Sequence, residues 1–360
     1  MMWITLAVMG SYVHRIDPVI GSVFGVHLWW YGLSYSLGFL NAHLFMRRKR
    51  KTLGLSMRSV YDLSLWLALG VLVGGRCVEV VFYEWPFYRR HFWLVPAVWL
   101  GGMTTHGLLA GGVTGVWLFC RSHRKSFLAI TDALAIPAAF ILGMGRLGNF
   151  IDGQIVGGVT TVWWGVKFPD AVGFRHPVVL YDGLKNLLLI PILTALMRVA
   201  PPPGVVTGSF LFLYASLRII IDLWREYPTT LAGLATGQSL NILVSAIGLV
   251  LLTARCRARG SASGGSAQPC DVDSDNRLPT GGLLWRELIF ACLLLFSLVI
   301  PSDWTQDVPV RYGSRHAGLR HSLLYPELDT APGKPQGTDK ATVAPNKTDG
   351  GDDRWVAPEE

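Results

Sequence analysis

The sequence predicts an all-α polytopic membrane protein, and three observations carry that prediction. Of 360 residues, 51% are hydrophobic and 16% charged, against about 25% charged in an average soluble chain. Glycine (40 residues) and tryptophan (14) are both abundant. Such a composition suits helices that pack closely through small residues in a bilayer, with aromatic rings at its edges. Seven stretches before residue 254 also approach the ~20 apolar residues that a helix needs to cross the hydrocarbon. A disordered or nucleic-acid-binding main body is excluded, despite the net charge of +8.

Met1–Gly10 is apolar but lacks the basic stretch and small-residue cleavage site of a signal peptide, so it reads as mature sequence. The seven spans follow at 26–46, 59–82, 98–120, 126–144, 179–198, 207–224 and 237–254. Thirteen basic residues lie on alternating connections: Arg47 to Lys51 and Arg58, then Arg121, Arg124 and Lys125, then Arg198, then Arg255, Arg257 and Arg259. Seven lie on the opposite set. Positive charge is retained in the cytoplasm, so the N-terminus is expected outside and Arg255 inside. Leu283–Ile300 could form an eighth span. Arg286 and Glu287 interrupt it, leaving 13 clean apolar residues, and an interfacial helix fits equally well.

Charge divides the chain. Residues 1–259 carry 23 basic and 10 acidic side chains, a net +13, whereas 260–360 carry 9 and 14, a net −5. The expected organisation is a transmembrane domain at 1–258 with small extracytoplasmic loops, a polar linker at 259–282, the extra helix at 283–300 and a disordered polar tail at 301–360. The five cysteines are odd in number and show no C-x-x-C, which indicates neither zinc nor a disulfide framework. No internal repeat is apparent, which weighs against a transporter built from duplicated halves.

Four polar clusters gather at the expected outer face, where ionisable groups at membrane depth are functional candidates. Gly101-Gly102-Met103-Thr104-Thr105-His106-Gly107 leads into the third span, and Gly111 and Gly115 below it form a G-x-x-x-G pair suited to helix packing. His106 has an ordinary pKa of ~6.5, suitable for a general base near neutral pH. Gly145-Arg146-Leu147-Gly148-Asn149-Phe150 closes the fourth span. Its guanidinium and amide match a phosphate, with glycines that let backbone N–H groups approach a ligand; an arginine reaching to lipid headgroups is the structural alternative. Arg175-His176-Pro177 with Tyr181 and Asp182 is weak by itself. Tyr214, Arg218, Asp222 and Arg225 share one helix face, so they must face protein or a polar cavity, an internal salt bridge being the plainer reading.

Taken in order, these runs resemble the prolipoprotein diacylglyceryl transferase family. The resemblance spans roughly residues 10–254. It includes Asp17-Pro18-Val19-Ile20, Trp30-Tyr31-Gly32, Gly74-Gly75-Arg76, Gly102-Met103, His106-Gly107, Gly145 to Gly153, His176-Pro177, Leu180-Tyr181, Arg225-Glu226 and Gly237-Gln238. The resemblance implies a seven-span bundle in the bacterial cytoplasmic (inner) membrane with a periplasmic N-terminus. The activity it implies is transfer of the diacylglyceryl group of phosphatidylglycerol to the lipobox cysteine of prolipoprotein signal peptides, with release of glycerol phosphate. Carried over by position, the family's important residues match His106, Arg146, Asn149, Tyr214, Arg218 and Arg225, with Tyr31 in support; Gly148 belongs to the same motif. Three departures from the family's pattern stand out: Leu108 replaces a second glycine after His-Gly, Asp152 and Gln154 replace an Asn and a Glu, and Asp222 is a shorter acid after the arginine stripe. Residues 260–360 have no recognisable counterpart.

The implied chemistry asks for these residue types. A thiol of pKa ~8.5 is mostly protonated at neutral pH, so a base assists its attack, and His106 is the candidate. Arg146 and Arg218 suit the leaving phosphate, and Asn149 the headgroup. Arginine cannot be the base because it stays protonated. No metal or cofactor is called for. A transporter or channel for an anionic solute is the competing class, with Arg76, Glu79 and Lys185 as its candidates deeper in the membrane. A lipid-binding scaffold is a third, which would have no use for His106.

Overall fold

A computed structural model describes residues 12–225, 236–259, 281–302 and 306–328. Met1–Gly10, Glu226, most of the linker at 259–282 and the run 329–360 lie outside the described residues. The chain opens with short strands on the side where α1 begins. β1 (Tyr12–Val13) pairs in parallel with β4 (Val166–Lys167), and β2 (Val19–Val23) pairs antiparallel with β3 (Val26–Trp29). Phe24 (φ 49°) and Gly25 (φ 80°) form the turn between β2 and β3, a backbone hand that suits a two-residue hairpin. The first expected span therefore starts later than residue 26, because Val26–Trp29 are held as a strand.

Among the described residues up to 259, seven long helices follow: α1 (Trp30–Lys49), α2 (Met57–Val78), α3 (Thr105–Ser122), α4 (Phe127–Ile151), α5 (Val178–Arg198), α6 (Val205–Ile221) and α7 (Thr236–Arg259). Side chains open three of them: Ser56, Thr104 and Ser126 accept hydrogen bonds from Ser59, Gly107 and Ala129 N–H groups, satisfying donors that a helix start leaves unpaired. Asp132 of α4 does the same across the bundle, accepting from Gly204 and Thr207 N–H at 2.7 Å each, at the start of α6. Among the described residues, five helical stretches are long and apolar enough to cross a membrane: Met57–Tyr83, Phe127–Ile151, Val178–Arg198, Val205–Trp224 and Gln238–Arg257. The protein is a mostly helical, multi-pass membrane protein.

Two further boundaries differ from those read in the sequence. The third helix starts at Thr105, not 98, because Gly101 (φ 85°) and Gly102 (φ 84°) take left-handed backbone that cannot continue a helix. The fourth continues past 144 to Ile151, so the glycine-arginine motif is helical. Its interior N–H groups are engaged along the helix axis, not presented to a ligand as expected. Gly145 and Gly148 instead admit Tyr35 and Tyr31 of α1, since a Cβ on Gly148 would lie 2.9 Å from the Tyr31 Cα. The G-x-x-x-G pair of α3 packs as its spacing suggests: a Cβ on Gly111 would strike the Gly70 carbonyl of α2.

Arg76, buried near the end of α2, organises the outer connection 84–104. Its guanidinium donates to the carbonyls of Leu94, Val95, Ala97, Gly101 and Gly102 at 2.5–3.2 Å. A planar fork with five donors is the only side chain able to gather so many carbonyls.

The extra hydrophobic segment forms α8 (Gly281–Ser297). It stands along α1 and α2 and not across their ends: Arg286 pairs with Asp62 near the start of α2 at 2.6 Å, and the Leu298 carbonyl accepts from Trp29 N–H beside the start of α1 at 2.9 Å. The tail expectation needs correction for residues 306–328. They fold onto the strand side, with the short helix α9 (Val308–Tyr312) opened by Asp307. Val308, Tyr312, Leu319 and Tyr325 bury themselves with Val19, Trp29, Ala97 and Leu100. Two buried tyrosines and their aliphatic neighbours supply the apolar area that the run's average composition conceals.

Candidate active site

The site is built where α4, α5 and α6 meet. Asp182, one turn into α5, has no exposed side-chain surface and receives three cations. Arg146 of α4 reaches Oδ2 with Nε at 2.6 Å, Arg218 of α6 reaches the same oxygen, and Lys185 reaches Oδ1 at 2.8 Å. Arg218 Nε also contacts Asp222 Oδ1 at 3.0 Å, one turn on. Asn241 of α7 donates to the other Asp222 oxygen at 3.4 Å. Such groups cannot face lipid, so each helix turns its polar stripe inward.

Of the residues singled out in the sequence, Arg146, Asn149, Arg218 and Tyr214 are gathered here. Asn149 Oδ1 accepts from Arg146 Nη1 at 3.2 Å, as i,i+3 neighbours on α4 can. The Tyr214 ring lies 4.1 Å beneath the Lys185 ammonium, and its carbonyl accepts from the same Nζ at 3.2 Å. Tyr31 borders the group from α1, packing on Gly148. Among these five charged side chains, three cations against Asp182 and Asp222 leave one net positive charge. Arg146 and Arg218 keep 15% and 9% of their side-chain surface exposed, so solvent or a ligand can reach part of each.

His106 and Arg225 stand elsewhere. His106 is exposed on the first turn of α3, with Nδ1 3.2 Å from the Tyr83 hydroxyl. Among the described residues, no hydrogen bond or ion pair joins it to the arginine group. Arg225 ends the turn after α6, where its backbone bridges to Gly157 in the connection between α4 and α5.

Two members of the site carry little signal in the sequence: Asp182 stands in a weak cluster, and Lys185 taken alone points toward transport. Their i,i+3 pairing within an otherwise apolar helix was the available sign, since neither charge is tolerated there without a partner. Beside the site, burial holds the His176 imidazole below its ordinary pKa, and its Nδ1 lies 3.2 Å from the Tyr181 hydroxyl.

A family model described as prolipoprotein diacylglyceryl transferase matches residues 18–254. A relative from Geobacter sulfurreducens is 39% identical over 235 residues, 64% of this chain and 90% of its own length. Relatives from Legionella pneumophila and Nitratidesulfovibrio vulgaris are each 36% identical, over 67% and 71% of this chain and 98% of their own lengths. All three carry the name phosphatidylglycerol–prolipoprotein diacylglyceryl transferase.

Proposed function

The chain belongs to the prolipoprotein diacylglyceryl transferase family, and from that premise we propose how its own residues carry out the transfer. The enzyme moves the diacylglyceryl group of phosphatidylglycerol to the thiol of a prolipoprotein's lipobox cysteine. The sulfur attacks the glyceryl carbon that carries the phosphate ester. A C–S bond forms, the C–O bond breaks, its electron pair leaves on the phosphate oxygen, and glycerol phosphate departs.

The observation that carries the reading is the convergence of Arg146 and Arg218, from two different helices, on one buried carboxylate with net positive charge left over. A phosphodiester gains charge on its leaving oxygen as the C–O bond stretches, and preorganised cationic donors stabilise that charge most where water is scarce. Arg146 and Arg218 are assigned to the phosphate and Asn149 to the headgroup. Tyr31 and Gly148 shape the wall beside them, Tyr214 backs the cluster through Lys185, and Arg225 meets the anionic headgroup from the outer side. His106 is assigned to take the thiol proton, which requires the precursor cysteine to lie between it and the arginines.

The helices α1–α7 are assigned as seven crossings of the bacterial inner membrane, with the N-terminus outside, and the basic connections support that orientation. α8 then crosses as an eighth, which returns residues 306–328 to the outer side with the strands.

The test follows transfer to a lipobox peptide by mass spectrometry, with the full chain and phosphatidylglycerol vesicles. Wild type adds one diacylglyceryl mass and releases glycerol phosphate. Arg146→Ala and Arg218→Ala each lower the rate by about 10²–10³-fold, the usual loss of one charge-stabilising donor. Undiminished transfer by properly folded variants rejects the assignment. A wild-type rate in His106→Gln moves the proton to another acceptor, such as the substrate phosphate.

A further inference from the structure

We propose that α8, which lies beyond the family's span of 18–254, forms the lateral wall of a pocket for one acyl chain of the lipid substrate and sets its chain-length preference. This rests on the transferase reading above.

An apolar pocket opens between α8, α1 and α2. Phe290, Leu293 and Leu294 line it from α8, and Tyr31, Tyr35 and Met103 from the opposite side. Tyr31 also borders the site, and Tyr35 stands one turn further along α1. They line the pocket on one side, and on the other pack against Gly148 and Gly145, the glycines flanking Arg146. The pocket thus lies on the far face of the tyrosines from the Arg146 motif, where one chain of a lipid whose phosphate meets Arg146 is placed by the proposal.

The wall is held firmly enough to discriminate. At one end Arg286 pairs with Asp62 at 2.6 Å. Further along, the Ser36 hydroxyl donates to the Leu294 carbonyl at 3.1 Å, and Trp29 N–H donates to the Leu298 carbonyl at 2.9 Å. Gly32 lets the two backbones touch, since a Cβ there would lie 2.8 Å from the Leu298 Cα.

That close approach also selects the occupant. A precursor's hydrophobic segment as a helix is about 10–12 Å across with its side chains and would have to displace α8 from Gly32 and Ser36. A single extended hydrocarbon chain needs no such displacement. The chain moves from one hydrocarbon surrounding to another, so what discriminates is whether each methylene finds close contacts in the pocket, and the space available near Leu294 translates into a preference for length.

The experiment measures kcat/KM of the full chain with dipalmitoyl and dioctanoyl phosphatidylglycerol in mixed micelles, for wild type, Leu294→Trp and Leu294→Ala. Filling the pocket with Trp should lower the long-to-short ratio by about tenfold, the scale on which an apolar pocket registers added or missing methylenes. Opening it with Ala should move the ratio the other way, with the KM for peptide unchanged in both variants. If Leu294→Trp does not fold, phosphatidylglycerol with a photoreactive acyl terminus, used on wild type, should label α8. An unchanged ratio in both variants, or no label on α8, overturns the proposal. A change in peptide KM that is equal for both lipids assigns the pocket to the precursor and also overturns it. Absence of transfer by wild type from either lipid would instead defeat the transferase reading itself.

Discussion

Replacing Asp182 with Asn is the sharpest test of how the arginines are held. The carboxylate contacts Arg146 at 2.6 Å and Lys185 at 2.8 Å, with Arg218 beside them. At an effective dielectric of about 20, each such contact is a gross attraction of roughly 6 kcal/mol. Desolvation offsets most of that sum, because each ion gives up several kcal/mol of hydration on burial. Removing one partner of a buried network, however, leaves the remaining desolvation uncompensated, and the cost is then about 3–5 kcal/mol. Asp182→Asn raises the local net charge from one to two while keeping the side chain's shape. The expected result is a clear fall in the melting midpoint of detergent-solubilised protein, with transfer reduced at least as far as in Arg146→Ala. Adding Lys185→Gln restores the single net charge. That double variant should recover much of the stability but little of the transfer, because the carboxylate that orients both guanidinium groups is still missing. If Asp182→Asn melts and transfers like wild type, Asp182 is not the hub of the site and the arginines are positioned by something else.

Two further outcomes follow from the structure. Gly111→Ala should lower the melting midpoint, because its Cβ strikes the Gly70 carbonyl and overpacking of this kind costs about 1–3 kcal/mol; Gly21→Ala, with no atom within 4 Å of its Cβ, should leave the midpoint unchanged. His14 is buried with Nε2 donating to the Phe150 carbonyl at 2.8 Å, and burial, together with the Arg315 charge, lowers its pKa. The unfolded chain thus binds this proton more tightly than the folded one. Stability should therefore rise with pH up to about 6.5 and level off above it. His14→Gln should flatten the slope below that pH in a melting series, and a slope that is unchanged in the variant would refute the assignment. His27 and His176, also lowered by burial, contribute to the slope that remains.

The helices were legible because their signal is local: length, hydropathy and capping residues act within a few turns. Their edges were less so, because a β-hairpin at 19–29 and two left-handed glycines at 101–102 interrupt apolar runs without changing their hydropathy. The site was half legible. Arg146 and Arg218 stood out as charges in apolar surroundings, but Asp182 lies 36 residues from each, and no spacing rule links them. Energetic necessity does: two arginines and a lysine at membrane depth require a carboxylate, and Asp182 shares a helix with Lys185. The segment 306–328 departs from its predicted disorder for a different reason. Averaged over sixty residues, its polar and acidic content predicts disorder, yet order is decided where a chain meets a receptor. Trp29, Ala97 and Leu100 present such a receptor on the strand side of the bundle. Val308, Tyr312 and Tyr325 cover it, and the Tyr325 hydroxyl accepts the His27 N–H at 3.1 Å. The polar residues between them are anchored in turn, His316 to Asp17 at 2.6 Å and Arg315 to the Asp152 carbonyl. Asp152 and Gln154 depart from the family's pattern, and Gln154 accepts from Arg311 at 3.3 Å. The loop that closes the arginine motif is thus braced by a segment that the family's span does not include, so its altered residues are read together with α9 and not against the family alone.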